Sequence, residues 1–143
     1  MLFKSIVMTK AFKSYGCSAS GANTGDVPDA LEDHFGFGSG GTYEDYERID
    51  RWVIKTDIDA NRPVIFRGCE ERTTFLGWAI YDECHAWLGD GYRITGDDCF
   101  KHFWYHMNWG WDGRHNDWYY QTNWDNPSAT FRYGQKFIHN IHL

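Results

Sequence analysis

Cys84-His85-Ala86-Trp87-Leu88-Gly89-Asp90-Gly91-Tyr92 and, further along, His106-Met107-Asn108-Trp109-Gly110-Trp111-Asp112-Gly113 are the stretches that decide the fold. The first places a histidine near the start of an apolar strand that carries Ala86, Trp87 and Leu88 and runs on to Tyr92. The second closes another strand with an asparagine and two tryptophans before a glycine-containing loop. Rigid strands hold polar side chains in place better than loops do.

Working outward, strands are expected at residues 63–67, 84–92, 103–107, 118–121 and 137–142, separated by Gly, Asn and Asp clusters. The N-terminal part reads differently. Residues 2–15 carry Phe3, Ile6, Val7 and Phe12, compatible with a short helix or strand, and residues 16–25 read as a loop. Asp26 is placed to cap a helix with Pro28 in its first turn, Leu31 and Phe35 on one face, and Gly36 as the stop. Thr42 and Asp45 resemble a capping box for a second helix carrying Tyr46, Ile49 and Val53, ending before Pro63. Short N-terminal helices followed by a mostly antiparallel twisted sheet define an α+β fold. The expectation is a single domain over residues 1–143, without internal repeats.

The chain has 143 residues, 19% of them aromatic, with eight tryptophans and a net charge of −6. It lacks any basic block of five or more residues, which argues against a nucleic-acid partner. The longest apolar runs fall far short of the roughly 20 residues that span a bilayer, so no membrane partner is expected. No signal peptide is read at the start. Cys17, Cys69, Cys84 and Cys99 form no CxxC pair, and their spacing assigns neither zinc nor a disulfide pairing. His102 and His106, four apart, and His139 with His142 invite a metal reading. Without a cysteine or carboxylate at ligand spacing they read as surface histidines, and no metal or cofactor is expected. Asp57, Asp59, Asp97 and Asp98 read as solvated acidic loops without a calcium-hand pattern.

A cysteine peptidase needs an imidazole within reach of a thiol and a third group that sets the ring's orientation and tautomer. His85 can supply the imidazole, and Asn108 a carboxamide acceptor. Trp109 or Trp111 can cover the pair and exclude water. Gly110 and Gly113 let a substrate backbone approach, so with Trp111 they are the expected substrate-binding residues. Taken alone, a histidine on an apolar strand is more often a packed core residue.

Together these segments resemble the streptopain-like family of papain-type cysteine peptidases, whose Gly-His-Ala-aromatic-Val-x-Asp-Gly-Tyr tract is followed by His-x-Asn-Trp-Gly-Trp-Gly-Gly. The likeness extends to Tyr15–Ala22, to the Val27–Phe35 helix with Gly36, to Arg62-Pro63-Val64, and to Trp118, Tyr119, Tyr120, Asn123, Trp124, Asn126, Pro127, Phe131, Gln135 and Ile141. The resemblance implies a papain-like fold, His85 as general base, and Asn108 with Trp109 as its support and cover. It leaves open whether the Asn108 side chain or a backbone carbonyl grips the ring. It also implies peptide-bond hydrolysis in a protein or peptide substrate and secretion. Two residues depart from the pattern: Cys84 and Asp112 stand where the family has glycines.

The family's nucleophile is a cysteine opening a long apolar helix, where the helix N-terminus helps stabilise a thiolate. Cys17 is followed by Ser, Ala, Gly and Asn and reads as a loop cysteine. Cys84 neighbours His85 on a strand, so its sulfur is expected on the opposite face. Cys69 and Cys99 read as packing or disulfide residues. The chain thus resembles the C-terminal portion of the enzyme, inactive alone, with an upstream half-domain or prosegment as partner. An apolar patch around His85 and Trp109 should then be uncovered. The competing readings are an aromatic carbohydrate-binding module built on Trp104 to Trp124, and a degenerate peptidase relic.

Overall fold

The computed structural model describes residues 12–15 and 20–143. The expectations for Cys17 and for residues 2–11 lie outside the described residues. Val64, Ile65 and Phe66 are consecutive and all buried, which a strand achieves only when both faces of its sheet are covered. They open β4 (Val64–Phe75), which pairs with β5 (Trp78–Gly96) along nearly its whole length. With β3 (Thr42–Asp45), β6 (Lys101–Asn108), β7 (Asp117–Tyr120) and β10 (Tyr133–His139) they form a six-stranded sheet. Its order is β3-β10-β4-β5-β6-β7, antiparallel at every pairing. The last strand of the chain thus sits inside the sheet, between β3 and β4. Two short hairpins lie apart from it: β1 (Phe12–Tyr15) with β2 (Ser20–Ala22), and β8 (Asp125–Asn126) with β9 (Ala129–Thr130). Part of the segment expected to be loop is therefore strand.

Each face of the main sheet is covered by one helix. Helix α1 (Val27–Phe35) packs Val27, Ala30 and Leu31 against Ile65, Ile138 and Ile141. It stops at Gly36, whose φ of 72° is left-handed, as its C-terminal glycine signal required. Its entry differs from expectation. Asp26 makes no side-chain cap, and a 3-10 turn over Thr24–Asp26 precedes the helix, with Asn23 Oδ1 accepting from the Gly25 amide at 3.2 Å.

On the other face lies α2 (Arg51–Asp59), preceded by a 3-10 turn at Arg48–Asp50. The capping box sits at Glu47 and Asp50, not at Thr42 and Asp45, which belong to β3. The same spacing of polar residues recurs five positions later, and pairing with β10 claims the earlier copy. Ile49 and Val53 are accordingly exposed, and the buried helix face carries Ile54 and Asp57. Tyr46 reaches the core from extended chain: its hydroxyl donates to the Gln121 carbonyl at 2.8 Å and lies 3.2 Å from the Tyr105 hydroxyl. Burial pushes the Tyr46 phenol up to about 12.

Asp57, expected in a solvated loop, is a buried helical residue. Its carboxylate accepts from the Asn140 amide at 2.5 Å and faces Arg62 at 3.5 Å, tying α2 to the end of β10. The principal core combines Ile54, Phe66, Trp87, Tyr105, Met107, Trp109, Trp124, Phe131 and Phe137. Burying each such side chain contributes about 1.5–3 kcal/mol, which makes this aromatic layer the main stabilising element.

Gly40 marks where α1 meets the chain that leads into β3. A Cβ there would lie 1.9 Å from the Pro28 carbonyl oxygen, a backbone atom that cannot turn aside. Gly40→Ala is expected to cost about 1–3 kcal/mol or more through overpacking, read as a lowered urea unfolding midpoint. An unchanged midpoint would show that α1 is not seated this tightly.

Candidate active site

His85 lies within β5, opposite Gly68 on β4, and not near the strand's start as expected. The strand begins earlier, at Trp78, because residues 70–83 continue the β4–β5 ladder as a long hairpin. Ala86 and Leu88 pack on the α1 side, while Trp87 enters the principal core. The His85 ring lies over Trp111 at 4.8 Å between centroids, tilted 26°, and is flanked by Phe131 at 5.9 Å and Trp87 at 6.1 Å.

His85 Nε2 meets the Trp109 carbonyl oxygen at 2.9 Å. A carbonyl can only accept, so in the neutral ring Nε2 carries the proton and Nδ1 holds the free lone pair. The tautomer follows from the backbone. Asn108 does not grip the imidazole: its Oδ1 accepts from the Gly110 amide at 3.1 Å and bends the chain out of β6. The open choice between carboxamide and backbone carbonyl thus falls to the carbonyl, one residue further on.

Trp109 is itself held through its N–H and through its side chain. Its amide donates to Asn116 Oδ1 at 3.1 Å, and its indole is fully buried, 4.4 Å from Trp87 and 5.4 Å from Phe131. Sequence reading missed Asn116 and Phe131. An asparagine closing the loop after Trp109 was the available signal for the first. The loop between them turns through Gly110, Asp112, Gly113 and His115, at φ values of 75°, 54°, 82° and 63°. Asp112 therefore occupies a left-handed position, which explains the family's preference for glycine there and which aspartate tolerates better than most residues. Nothing lies within 4 Å of a Cβ built at Gly110 or Gly113, so the surface there is open. Trp111 is half-buried under the His85 ring.

A depression of about 370 Å³ opens beside His85, bordered by Glu70, Glu83, Trp111, Arg114 and Ser128. Burial, partly offset by the hydrogen bond to Trp109, holds the His85 pKa below the ordinary 6.5. The ring therefore stays neutral, and able to accept a proton, further into the acid range than a free histidine.

Cys69 and Cys84 form a disulfide across β4 and β5, an assignment their spacing could not make. Arg67 Nη2 lies 3.1 Å from the Cys84 sulfur. Among the described residues the free cysteine is Cys99, exposed in the β5–β6 connection. Eleven residues of β5 separate His85 from Gly96, roughly 35 Å at the rise of a strand. No described thiol therefore reaches the imidazole.

The patch around His85 and Trp109, expected to be uncovered, is instead covered by the chain's own Trp111, Phe131 and Trp87. That covering takes away the uncovered patch as support for a missing half and leaves the depression beside His85 as the open side of the ring. The large exposed apolar residues lie elsewhere, on the outer side of α2, on the β4–β5 hairpin, and at Ile94, Phe100, Tyr133 and Leu143. The histidines considered for a metal are engaged separately: His106 Nδ1 with Asp90 at 2.5 Å, His102 Nδ1 with the Tyr120 hydroxyl at 3.2 Å, and His139 with Glu44 at 2.9 Å. Among the described residues no group of three or more His, Cys, Asp or Glu side chains is arranged for a metal. Nor is any described helix long and apolar enough to cross a membrane. As for the sugar-stacking reading, Trp109 and Trp124 are fully buried, and Trp104 and Trp118 share the Arg93 guanidinium at 5.3 and 4.9 Å.

A twisted antiparallel sheet with a histidine held by a backbone carbonyl amid stacked aromatics belongs to the papain-like cysteine protease fold. The active wild-type interpain A cysteine protease of Prevotella intermedia shares it, with a TM-score of 0.65 at 24% identity, over 89% of this chain and 49% of that one. The present chain thus spans about half the length of that protease. Residues 2–119 match the peptidase C10 family, the streptopain family, and the chain belongs to it. No curated protein matches the sequence.

Two measurements test this geometry. In an NMR titration the His85 imidazole should titrate below 6.5 as the Nε2–H tautomer. Because the folded state takes up this proton less readily than the unfolded chain, His85's share of stability is present above pH 6.5 and declines as pH falls below it. A His85 pKa at or above 6.5 would contradict the carbonyl-held, desolvated ring. Separately, Asn116→Ala should leave the Trp109 amide unpaired and cost about 1–3 kcal/mol in urea unfolding.

Proposed function

We propose that this chain supplies the histidine half of a secreted cysteine endopeptidase site, with the attacking cysteine contributed by polypeptide outside these 143 residues. The observation that carries the reading is the His85 Nε2 contact with the Trp109 carbonyl, which leaves Nδ1 as the proton-accepting nitrogen beside an open depression. Membership of the peptidase C10 family supports it. So does the separation of the exposed thiol of Cys99 from the imidazole.

In this mechanism His85 Nδ1 accepts the proton of the cysteine thiol, and the thiolate adds to the carbonyl carbon of a peptide bond in a protein substrate. The imidazolium then returns the proton to the departing amine as the C–N bond breaks, leaving an acyl-enzyme. Water, deprotonated by the same imidazole, adds to the thioester carbonyl; the C–S bond breaks, the acid product leaves, and the imidazolium returns its proton to the sulfur to restore the thiol. Trp109, Asn108 and Asn116 act as positioning residues: Trp109 carries the carbonyl that sets the tautomer, Asn108 holds the N–H of the same peptide, and Asn116 holds Trp109's own N–H. Gly110, Trp111 and Gly113 border the approach of the substrate chain. No cofactor takes part. An upstream half-domain bearing the thiol, or a prosegment covering the depression, is the partner this reading requires.

The 143-residue chain alone should neither hydrolyse casein nor be labelled by a thiol-directed peptidase inhibitor. Addition of a separately expressed thiol-bearing half from a C10 peptidase should restore cleavage, and His85→Ala should abolish it. Turnover by the isolated chain that depends on His85 would show the site to be complete within it.

A further inference from the structure

Residues 71–84 are exposed throughout, although five cross-strand pairs from Glu71↔Asp82 to Phe75↔Trp78 make this segment a regular hairpin. β10 leaves β4 at Cys69, and β6 leaves β5 at Leu88. Beyond those points the two strands form a ribbon whose outer edges carry no partner among the described residues. Such edges are templates for another extended chain.

The ribbon's tip is apolar. Phe75 is 65% exposed, Leu76 83% and Trp78 78%, with Ile80 further down the same arm. Leu76 holds a left-handed φ of 49° in the turn with Gly77, a position that favours asparagine or glycine. A leucine there meets a backbone cost and hides almost none of its side chain. Phe75 and Trp78 are directly paired, as are Thr73 and Ile80, so Phe75, Trp78 and Ile80 share one side.

The root of the ribbon is different in kind. Residues 73–81 bear no charge, while the root carries Glu70, Glu71, Asp82 and Glu83 against Arg72 along the ribbon, with Arg114 on the far border of the depression. The Cys69–Cys84 disulfide fixes this root, and Cys84 is covalently next to His85. Glu70, Glu83 and His85 border the same depression. From tip to root is roughly 20 Å at the rise of a strand, so a chain lying along the ribbon reaches the imidazole without leaving the surface.

We propose that the ribbon of residues 70–83 is an arm that binds an extended polypeptide, pairing with apolar side chains at its tip and basic side chains at its root, and leads it to His85. The inference rests on the reading of His85 as a peptidase base, and it names the substrate class: unfolded segments in which an apolar run adjoins lysine or arginine. Main-chain pairing along an open edge provides affinity, and the aromatic side and acidic root provide selectivity. The acidic root also sets the arm against an anionic membrane surface, which would repel it.

The test uses the full 143-residue chain and a fluorescein-labelled peptide of alternating valine and threonine ending in two lysines. Fluorescence anisotropy should show saturable binding, weakened at least about tenfold by Phe75→Ser with Trp78→Ser, the scale of aromatic truncation at a binding surface. Both residues are exposed, so the unfolding midpoint and the His85 titration should stay at wild-type values. Replacing the peptide's lysines by glutamates should weaken binding as well. Equal binding by wild type and the double variant would overturn the arm. So would a dimer in sedimentation, or adsorption to phosphatidylcholine vesicles, that the double substitution removes while the peptide fails to bind. Peptide binding by a chain whose His85→Ala variant still cleaves casein when complemented with the thiol-bearing half would uphold the arm while removing the base, so the two readings fail separately.

Discussion

The Trp109 peptide unit is the constraint on which the site depends. His85 engages its carbonyl, Asn108 Oδ1 accepts from its N–H, which is that of Gly110, and the Trp109 indole is buried among Trp87, Phe131 and Tyr119. A peptide fixed at three points leaves its carbonyl direction no freedom, and a carbonyl accepts but cannot donate. The imidazole that meets it has one tautomer and one orientation, with Nδ1 as the nitrogen left for chemistry. Sheet order places the partners together: β5 carries His85, β6 ends immediately before Trp109, and the two strands are neighbours.

The same aromatic layer does two jobs. Around Trp87, Phe66 and Trp124 it is the core that binds α2 to the sheet. Around Trp109, Trp111 and Phe131 it encloses the histidine, lowers its proton affinity by burial and still leaves one side open to a depression. Stability and the state of the candidate base are therefore coupled, because loosening these rings admits water to His85. Much of the exposed apolar surface is found instead on the hairpin beyond the disulfide and on the outer side of α2. A chain that gathers its rings so thoroughly inside has little reason to expose Phe75, Leu76 and Trp78 at a hairpin tip for the sake of folding.

Elements were legible where a local pattern had a single use. Pro28 and Gly36 bound α1 as their backbone preferences demand, and the Val64-Ile65-Phe66 run marks a strand buried on both faces. Elsewhere one pattern had two uses. Thr42 with Asp45 and Glu47 with Asp50 both carry a helix-start spacing, and only strand pairing with β10 separates them. Residues 70–83 mix glutamate, arginine and threonine with aromatics, and their turn is Leu76-Gly77, which lacks the asparagine or aspartate that announces a two-residue hairpin. Asp57 looked solvated because its partners, Arg62 and Asn140, lie outside its own helix, and Asn140 is far along the chain.

By itself the sequence determined the α+β class, the strand that carries His85, the asparagine-tryptophan tract beside it and the family to which these motifs point. All of these are written in residue types at short spacing. Tertiary structure alone decided that the Trp109 carbonyl and not the Asn108 carboxamide holds the ring, that Asn116 anchors the Trp109 N–H, and that Cys69 pairs with Cys84. Each of those facts joins atoms on different strands or across a loop. Strand order and register set such distances, and no local pattern of residues encodes them.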